Sequence, residues 1–491
     1  MRRKAQEGMG KRKHSAAILV RLLHPGALIP SSFKKWHSII ESLLEGFLGH
    51  FDDATLSRLL KHQRALPTSA SPGMRAAQLA SELSSFHKVC QMLARNPLLS
   101  SENRAALAPL EWLPPDSIPD EALSAALRLA DQVRPDLFPD PGSARVARGS
   151  VADVFRFKGS RGTGEVALKY VRPDALPRIR HEASILKRMS DETAALAAFA
   201  GHKFAYSLGE ALRDASAALL REVDFPGEAR NLRHARAFYE FNERVRVPLV
   251  MEPPLAEGIF MEFIDGFPLL NAPLERGERR ETARLIFRSL ILEPLFSGLP
   301  ESIFHADPHA GNIIVQTHKE RLSLIVLLDW SQAGRLAASQ RHALIELCFQ
   351  CATGVAPTSG VLERLLGSAF TETGIFLPQD AGDPLRTALE IVQQLAVDGY
   401  PVPVDLLLLR KSFLTLEGVL HQLDPDLNPW KETLVYASGV LASEAVTRAW
   451  SIPLPWLDSP AFLRTGLRTR TLAAHFTNAI LKYLCKCTNI S

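Results

Sequence analysis

The sequence predicts an α+β fold with two lobes, a small strand-rich lobe followed by a larger helical one. Short β-rich runs are concentrated between residues 143 and 266, whereas most of the chain on either side has apolar residues at helical spacing. A polar loop at 304–312, followed by two more short strands, interrupts the helical part. Because 491 residues exceed what one hydrophobic core normally serves, we expect two lobes and an extension.

Five regions follow from these changes in pattern. Residues 66–73, rich in Pro, Ser and Gly, break the first helical pattern and predict a linker. We expect a basic tail and helical extension at 1–85, a second helical segment at 86–142, the strand-rich lobe at 143–266, the helical lobe at 267–447, and a helical tail at 448–491.

The composition is that of an ordinary globular protein, with 46% hydrophobic and 22% charged residues. Five cysteines in a chain of this length do not form a disulfide framework, which predicts a reduced, cytoplasmic environment. Residues 1–14 carry a net charge of +5 within a total of +4, so the remainder carries −1 and offers no basic face for nucleic acid. Since no apolar run reaches roughly 18 residues, we expect at most a peripheral contact with a membrane.

The polar loop has residues at the spacing of a phosphoryl-transfer site. Asp307 precedes Asn312 by five residues, and Asp329 follows a predicted hairpin of two apolar strands. The hairpin brings Asn312 and Asp329 to neighbouring positions, where their oxygens suit Mg²⁺. Asp307 would accept or orient the proton of the nucleophile, as the aspartate of a kinase catalytic loop does at this spacing. The alternative is an ordinary Asp-Pro turn with a loop asparagine.

A lysine suited to contact nucleotide phosphates lies upstream of this loop. Three strands are predicted, at 144–147, 152–157 and 165–171. Gly149 and Ser150 form the first turn, and the third strand contains Lys169. A lone lysine on a strand is usually at the surface. Together with the loop residues, however, Lys169 predicts a contact with the α- and β-phosphates beneath a small-residue turn.

Two other segments of the strand-rich lobe predict parts of a nucleotide site. A buried ammonium is costly unless a carboxylate pairs with it, and the acidic cluster containing Glu222 and Glu228 is the candidate supplier for Lys169. The cluster would otherwise be an acid-rich helix N-terminus, which is common. Two strands, at 247–251 and 258–264, would end the lobe, and backbone groups from Glu262 to Ile264 could bind adenine.

The sequence after Asp329 differs from that of a protein kinase. Trp330 and Ser331 follow the aspartate directly, and a helix is predicted from about residue 339. This leaves no room for a long activation segment on which a peptide could dock. Phosphorylation of proteins is therefore disfavoured.

These residues together resemble the UbiB-type (aarF-domain) atypical kinase family, over about residues 86 to 431. Three motifs carry the resemblance: Lys88-Val89-Cys90-Gln91 is similar to the family's KxGQ motif, Glu222-Val223-Asp224 to its ExD motif, and His305 to Asn312 to its catalytic loop. Residues 147–154 lie where the family has an alanine-rich loop, and residues 416–425 are similar to its late helix.

The resemblance implies a protein-kinase-like fold that uses ATP and Mg²⁺. It implies that Lys169 pairs with Glu222 or Glu228, and that a regulatory cover helix with Lys88 and Gln91 folds over the nucleotide cleft. In that arrangement Lys88 lies near Glu222 and Asp224, and the helix blocks protein substrates. The family is associated with ATP hydrolysis or phosphorylation of a small or lipid-related molecule, in support of isoprenoid-quinone biosynthesis or lipid handling.

Departures from the family pattern keep two other functions open. Cys90 replaces a glycine, Arg148 and Gly149 dilute the alanine-rich loop, and Trp330-Ser331 replaces Phe-Gly. One alternative is an aminoglycoside- or choline-type small-molecule phosphotransferase, whose metal aspartate is often followed by Trp. The other is a pseudokinase that binds nucleotide and serves as a scaffold.

Overall fold

The structure is a computed structural model that describes residues 2–474 and 477, with gaps at 30–36, 95–98, 111–117, 140–143, 149–150, 160–163, 173–174, 201–202, 319–320, 368–382, 399 and 460–462. The predicted α+β class is confirmed. The chain divides into two compact units. The first unit consists of Met1–Arg230 and Leu249–Phe263, and the second of Asn231–Pro248 and Ile264–Ser491.

The helices have the following bounds: α1 (Arg2–Leu23), α2 (His37–Gly49), α3 (Asp53–Ala65), α4 (Pro72–Ala80), α5 (Ser84–Ala94), α6 (Ser101–Leu107), α7 (Asp120–Val133), α8 (Ala175–Ala200), α9 (Lys203–Arg221), α10 (Phe225–Phe238), α11 (Arg276–Phe287), α12 (Glu293–Leu295), α13 (Ala338–Thr353), α14 (Ser359–Leu366), α15 (Pro384–Val397), α16 (Val404–Leu423) and α17 (Pro429–Trp450). A π-helical turn, Arg288–Leu292, joins α11 to α12.

The strands have the following bounds: β1 (Leu137–Pro139), β2 (Arg145–Arg148), β3 (Ala152–Gly159), β4 (Glu165–Val171), β5 (Val245–Arg246), β6 (Val250–Met251), β7 (Gly258–Glu262), β8 (Phe267–Pro268), β9 (Glu301–His305), β10 (Ile313–His318), β11 (Arg321–Leu327) and β12 (Ala333–Ala337). The strands predicted near 144, 152, 165, 247, 258, 313 and 322 are therefore all present.

The first unit combines a helical extension with an antiparallel sheet. Helices α1 to α6 share one apolar core, to which α8 contributes Ile185 and Met189. The predicted linker separates α3, which ends at Ala65, from α4, which begins at Pro72. The sheet has the order β1-β3-β4-β7-β6, with β2 paired to β3, and α7 packs its buried alanines against it.

The second unit contains two smaller sheets among helices. One has the order β5-β11-β10-β8, and it includes the predicted hairpin. The other consists of β9 and β12, which pair antiparallel from Ala333↔His305 to Ala337↔Glu301. Strand β12 was not predicted, whereas α13, expected from about residue 339, begins at Ala338.

No helix among the described residues is both long enough and apolar enough to cross a membrane. Within the helical extension predicted at 1–85, α2 is described from His37, and residues 30–36 lie outside the described part of the chain.

Candidate active site

In the first unit, Lys169 forms an ion pair with Glu228. The Nζ of Lys169, on β4, lies 2.9 Å from Oε1 and 3.0 Å from Oε2 of Glu228, on α10. The side chains are only 14% and 1% exposed. Of the two acids that the sequence offered as partners, Glu228 makes this contact, while Glu222 is buried nearby in sequence, in the turn before α10. Such a pair fixes the direction of the lysine side chain.

Asp224 caps the helix that carries Glu228. Its Oδ1 accepts a hydrogen bond from the backbone N–H of Gly227 at 2.9 Å, and its carbonyl accepts from the N–H of Glu228 at 2.8 Å. A Cβ at position 227 would lie 2.2 Å from Asp224 Oδ2, which explains the glycine there. The aspartate of the Glu222-Val223-Asp224 motif thus has a structural role in orienting α10.

The predicted cover helix corresponds to α5. A buried glutamate on α8, Glu182, accepts hydrogen bonds from the backbone N–H groups of Ser84 (3.0 Å) and Ser85 (2.6 Å), so its negative charge lies at the N-terminus of α5. Sequence analysis missed this residue because nothing in the pattern of α8 distinguishes it. The side chains of Lys88 and Gln91 lie outside those that the structure describes.

Cys90, the residue that replaces the family's glycine, is fully buried in the core of the helical extension. Burial raises the pKa of its thiol to about 12. Its Sγ lies 3.8 Å from the carbonyl oxygen of Ala76 on α4. The cysteine therefore packs α5 against α4 as a small apolar residue.

The sequence also predicted nucleotide contacts at residues 149–150 and from Glu262 to Ile264. Gly149 and Ser150 lie outside the described residues. The backbone N–H of Glu262 donates to the carbonyl of Leu249 at 2.8 Å, so it is already used within the sheet.

In the second unit, His305 holds the catalytic loop. Its Nδ1 accepts from the backbone N–H of Asp307 at 3.1 Å, and its Nε2 lies 2.8 Å from the carbonyl of Leu328, to which it donates. The bond that Nδ1 accepts requires the neutral ring, with its proton on Nε2, and burial favours that form by lowering the pKa of His305. The ring also packs edge-on against Trp330, with the centroids 4.9 Å apart. The loop is thereby fixed to the segment around Asp329.

The hairpin brings Asn312 close to Asp329, as predicted. Ile313 pairs with Leu327, and the N–H of Leu328 donates to the carbonyl of Asn312 at 2.8 Å. The Nδ2 of Asn312 donates to the backbone carbonyl of Asp307 at 3.1 Å, which identifies Oδ1 as the amide atom that remains for a metal ion. An amide oxygen beside a carboxylate is a donor set that Mg²⁺ accepts.

Asp329 has a left-handed backbone conformation, with φ of 51°. Non-glycine residues rarely adopt this conformation, and it is often found at functional sites. Its Oδ1 accepts from the N–H of Ser331 at 3.2 Å, which orients the carboxylate. The next residue, Trp330, is fully buried, and its carbonyl accepts from Nδ2 of Asn231 at 2.9 Å. Trp330 therefore anchors the turn that presents Asp329.

A lysine that the sequence did not indicate also lies in this group. The Nζ of Lys411, on α16, is 3.6 Å from Oδ1 of Asp307 and donates to Oε1 of Gln332 at 3.0 Å. The neighbouring Ser412 donates to the carbonyl of His305 at 2.7 Å. Lys411 follows Asp307 by more than 100 residues, so spacing could not reveal the contact.

Comparison with known proteins is consistent with this geometry. Residues 133–356 match the family model described as "ABC1 atypical kinase-like domain". This range contains Lys169, Glu228, Asp307, Asn312 and Asp329, and it supports the kinase-like nature of the predicted fold.

Two curated relatives bear the name "Probable protein kinase UbiB". The chain is 24% identical over 500 residues to the one from Aeromonas hydrophila, covering 91% of this chain and 88% of the relative. It is 24% identical over 343 residues to the one from Photorhabdus laumondii, covering 65% of this chain and 62% of the relative, less than two thirds of its length. Among solved structures, the complex of Rv3197 with erythromycin from Mycobacterium tuberculosis aligns with a TM-score of 0.42 and 15% identity, over 79% of this chain and 93% of that one.

Proposed function

Because residues 133–356 match the ABC1 atypical kinase-like domain, we propose that this chain is an atypical kinase of that family, which binds Mg²⁺-ATP and hydrolyses it or transfers its γ-phosphoryl group to a small or lipid-related molecule. The observation that carries the proposal is the arrangement of Asp307, Asn312 and Asp329. Asn312 donates to the loop that holds Asp307, and the hairpin brings it beside Asp329. A general base and two oxygen ligands for Mg²⁺ are the minimum that phosphoryl transfer requires.

Each residue has a separate task in this mechanism. Lys169, directed by Glu228, binds a phosphate oxygen of the nucleotide. Asn312 and Asp329 hold Mg²⁺, which when bound neutralises charge on the β- and γ-phosphates. Asp307 accepts the proton of the attacking hydroxyl or water while the new O–P bond forms and the bond from the γ-phosphorus to the bridging oxygen breaks. ADP leaves with that electron pair.

The length of the segment after Asp329 favours a small acceptor. Helix α13 begins at Ala338, and the residues between are largely occupied by β12, which is paired along its length with β9. A peptide-docking activation segment has no place in so short a connection. Curated relatives bear the name UbiB, and the resemblance to the UbiB-type family implies a role in support of isoprenoid-quinone biosynthesis or lipid handling. A choline- or aminoglycoside-type phosphotransferase is the alternative that a Trp after Asp329 favours.

Phosphate release from ATP by the purified protein tests the proposal. We expect Mg²⁺-dependent turnover that is abolished by a chelator and by Lys169→Met. A panel of acceptors, namely phenolic quinone precursors, choline and an aminoglycoside, then separates the two small-molecule functions. Nucleotide binding without turnover under any of these conditions would instead identify a pseudokinase.

The C-terminal part of the second unit offers a surface for peripheral contact with an anionic membrane. Trp450, Ile452 and Trp456 are 58%, 79% and 66% exposed at the end of α17 and in the turn that follows. Arg448 donates to Thr469, and Thr469 donates to Asp458, so the exposed Arg468 and Arg470 lie in a segment bound to the same turn. Exposed tryptophans next to arginines favour the interface of an anionic bilayer.

Sedimentation with liposomes tests this contact. We expect binding to vesicles with anionic lipid, weakened by salt and by the double substitution Trp450→Ser, Trp456→Ser. Phe241→Ser is the matched control, because Phe241 is 93% exposed at another place in the second unit. Equal binding by all three proteins would contradict the contact, and concentration-dependent self-association lost only in the double variant would show that the surface joins two copies.

A further inference from the structure

Lys411 lies on a helix that otherwise contributes apolar residues to the core of the second unit. Leu406, Leu409, Phe413 and Leu416 of α16 are buried, and the Lys411 side chain among them is only 28% exposed. Partial burial of a lysine side chain is unfavourable unless polar partners compensate for the hydration that its ammonium group loses. Its partners include Asp307 and Gln332, both of which belong to the candidate site.

The two contacts of Lys411 differ in kind. The 3.0 Å bond to Gln332 Oε1 is an ordinary hydrogen bond to a neutral amide. The 3.6 Å separation from Asp307 Oδ1 is within ion-pair range but longer than a direct hydrogen bond. The ammonium is therefore anchored on Gln332, while its charge acts on the carboxylate of Asp307.

Gln332 connects Lys411 to the rest of the site. Its backbone carbonyl accepts from the N–H of Ala306 at 3.1 Å, so its chain is joined to the residue before Asp307. It also follows Asp329 by three residues. The next residue of α16, Ser412, bonds to the carbonyl of His305. Helix α16 thus contacts the catalytic loop on both sides of Ala306 and the segment after Asp329 through one lysine and one serine.

From these contacts we infer that Lys411 is a positioning residue for phosphoryl transfer, which holds the Asp307 carboxylate in the orientation that accepts the proton of the attacking hydroxyl or water. The inference rests on the proposed function and adds to it a residue outside the part of the chain that the family model matches. If Lys411 acts through Asp307, its removal changes the rate of the chemical step and leaves nucleotide binding unchanged.

ATP turnover of four variants tests the inference. We expect Lys411→Gln and Lys411→Met to lower kcat for Mg²⁺-ATP by about tenfold or more with KM nearly unchanged, whereas Lys411→Arg retains a large part of kcat. Lys431→Gln, which removes the same charge from the exposed surface of α17, should leave kcat unchanged. Melting temperatures show which variants fold. If Lys411→Gln or Lys411→Met fails to fold, the kcat of Lys411→Arg, which changes the side chain least, can still be compared with that of the wild-type protein.

A double-mutant cycle distinguishes positioning from general support of the fold. Because Lys411 acts through Asp307, adding Lys411→Met to Asp307→Asn should cause no further loss of kcat. Additive losses of kcat in the double variant, or an unchanged kcat in Lys411→Met, would overturn the inference. Neither result would affect the proposed function, which depends on the turnover of the wild-type protein. Absence of turnover in the wild-type protein itself would overturn both.

Discussion

The two oxygens of Glu228 both lie within 3.0 Å of the ammonium of Lys169, and the pair joins strand β4 to helix α10 in the first unit. The carboxylate is almost fully buried, so the charges are little screened by water. This contact directs the lysine that we assign to the nucleotide phosphates.

Glu228→Gln should destabilise the first unit and weaken nucleotide binding together. It leaves the Lys169 ammonium buried without the countercharge of Glu228, a change that costs about 3 kcal/mol in comparable pairs. Chemical denaturation and ATP titration measure the two effects. In the double variant Lys169→Met, Glu228→Gln, stability should recover in part while ATP binding stays weak. No recovery of stability in the double variant would mean that Glu228 acts through another partner.

Asp307→Asn should separate binding from chemistry. The substitution keeps the shape and backbone contacts of the loop but removes the base, so turnover falls by about a hundredfold or more while ATP affinity stays nearly the same. Calorimetric titration and phosphate release, carried out on the same preparation, check this expectation. A large loss of affinity with unchanged turnover would contradict the role given to Asp307.

Gly227→Ala should destabilise α10 through its cap. The new methyl would lie 2.2 Å from Asp224 Oδ2, which expels the capping carboxylate and costs about 1 kcal/mol. Gly360→Ala is the matched control, because Gly360 also lies in the first turn of a helix, α14, with no atom within 4 Å of the added Cβ. It should be neutral or slightly stabilising. In an Asp224→Ala background the penalty of Gly227→Ala should disappear, which thermal denaturation can determine.

His342 should make the second unit sensitive to acid. Burial, with the nearby positive charge of Arg341, lowers its pKa to about 4. An unfolded histidine titrates near 6.5, so as the pH falls below that value the unfolded state binds a proton that the folded state does not. The stability contributed by the neutral ring is complete above pH 6.5 and is lost progressively as the pH falls to about 4.

The loss amounts to about 2 kcal/mol at pH 5 for a histidine shifted this far. His342→Gln should therefore lose less stability than the wild-type protein between pH 7.5 and pH 5, by about that amount. Urea denaturation at the two pH values provides the comparison. Parallel losses in both proteins would assign the acid sensitivity to other groups.

The parts of the fold that could be predicted from the sequence are those with local patterns. The hairpin of β10 and β11 was predicted because two short apolar runs, rich in β-branched residues, flank a polar turn. Strand β12 was not, because Ala333-Gly334-Arg335-Leu336-Ala337 has little intrinsic preference for a strand. Its pairing with β9 decides its conformation, and Gly334 leaves room for the ring of Phe304, from which a Cβ would be 2.1 Å away.

The candidate site divides in the same way. Asp307, Asn312 and Asp329 could be proposed from spacing because one loop and one hairpin hold all three. Lys411 and Glu182 were not found, since each lies on a long helix and meets its partners only through tertiary packing. The contact of Lys169 with Glu228 likewise joins β4 to α10, which is 59 residues away along the chain. Contacts between distant segments leave no periodic signal in a single sequence.

The assignment of Asp329 as a ligand of Mg²⁺ in an ATP site is the central claim, and thermal denaturation with Mg²⁺-ATP tests it most directly. At a nucleotide concentration of about 100 times the dissociation constant, the wild-type protein should gain about 2.7 kcal/mol of stability and melt at a correspondingly higher temperature. Asp329→Asn, which removes the metal-binding charge and preserves the shape of the side chain, should lose most of this gain when Mg²⁺ is present. Equal shifts in the two proteins, or no shift in either, would contradict the claim.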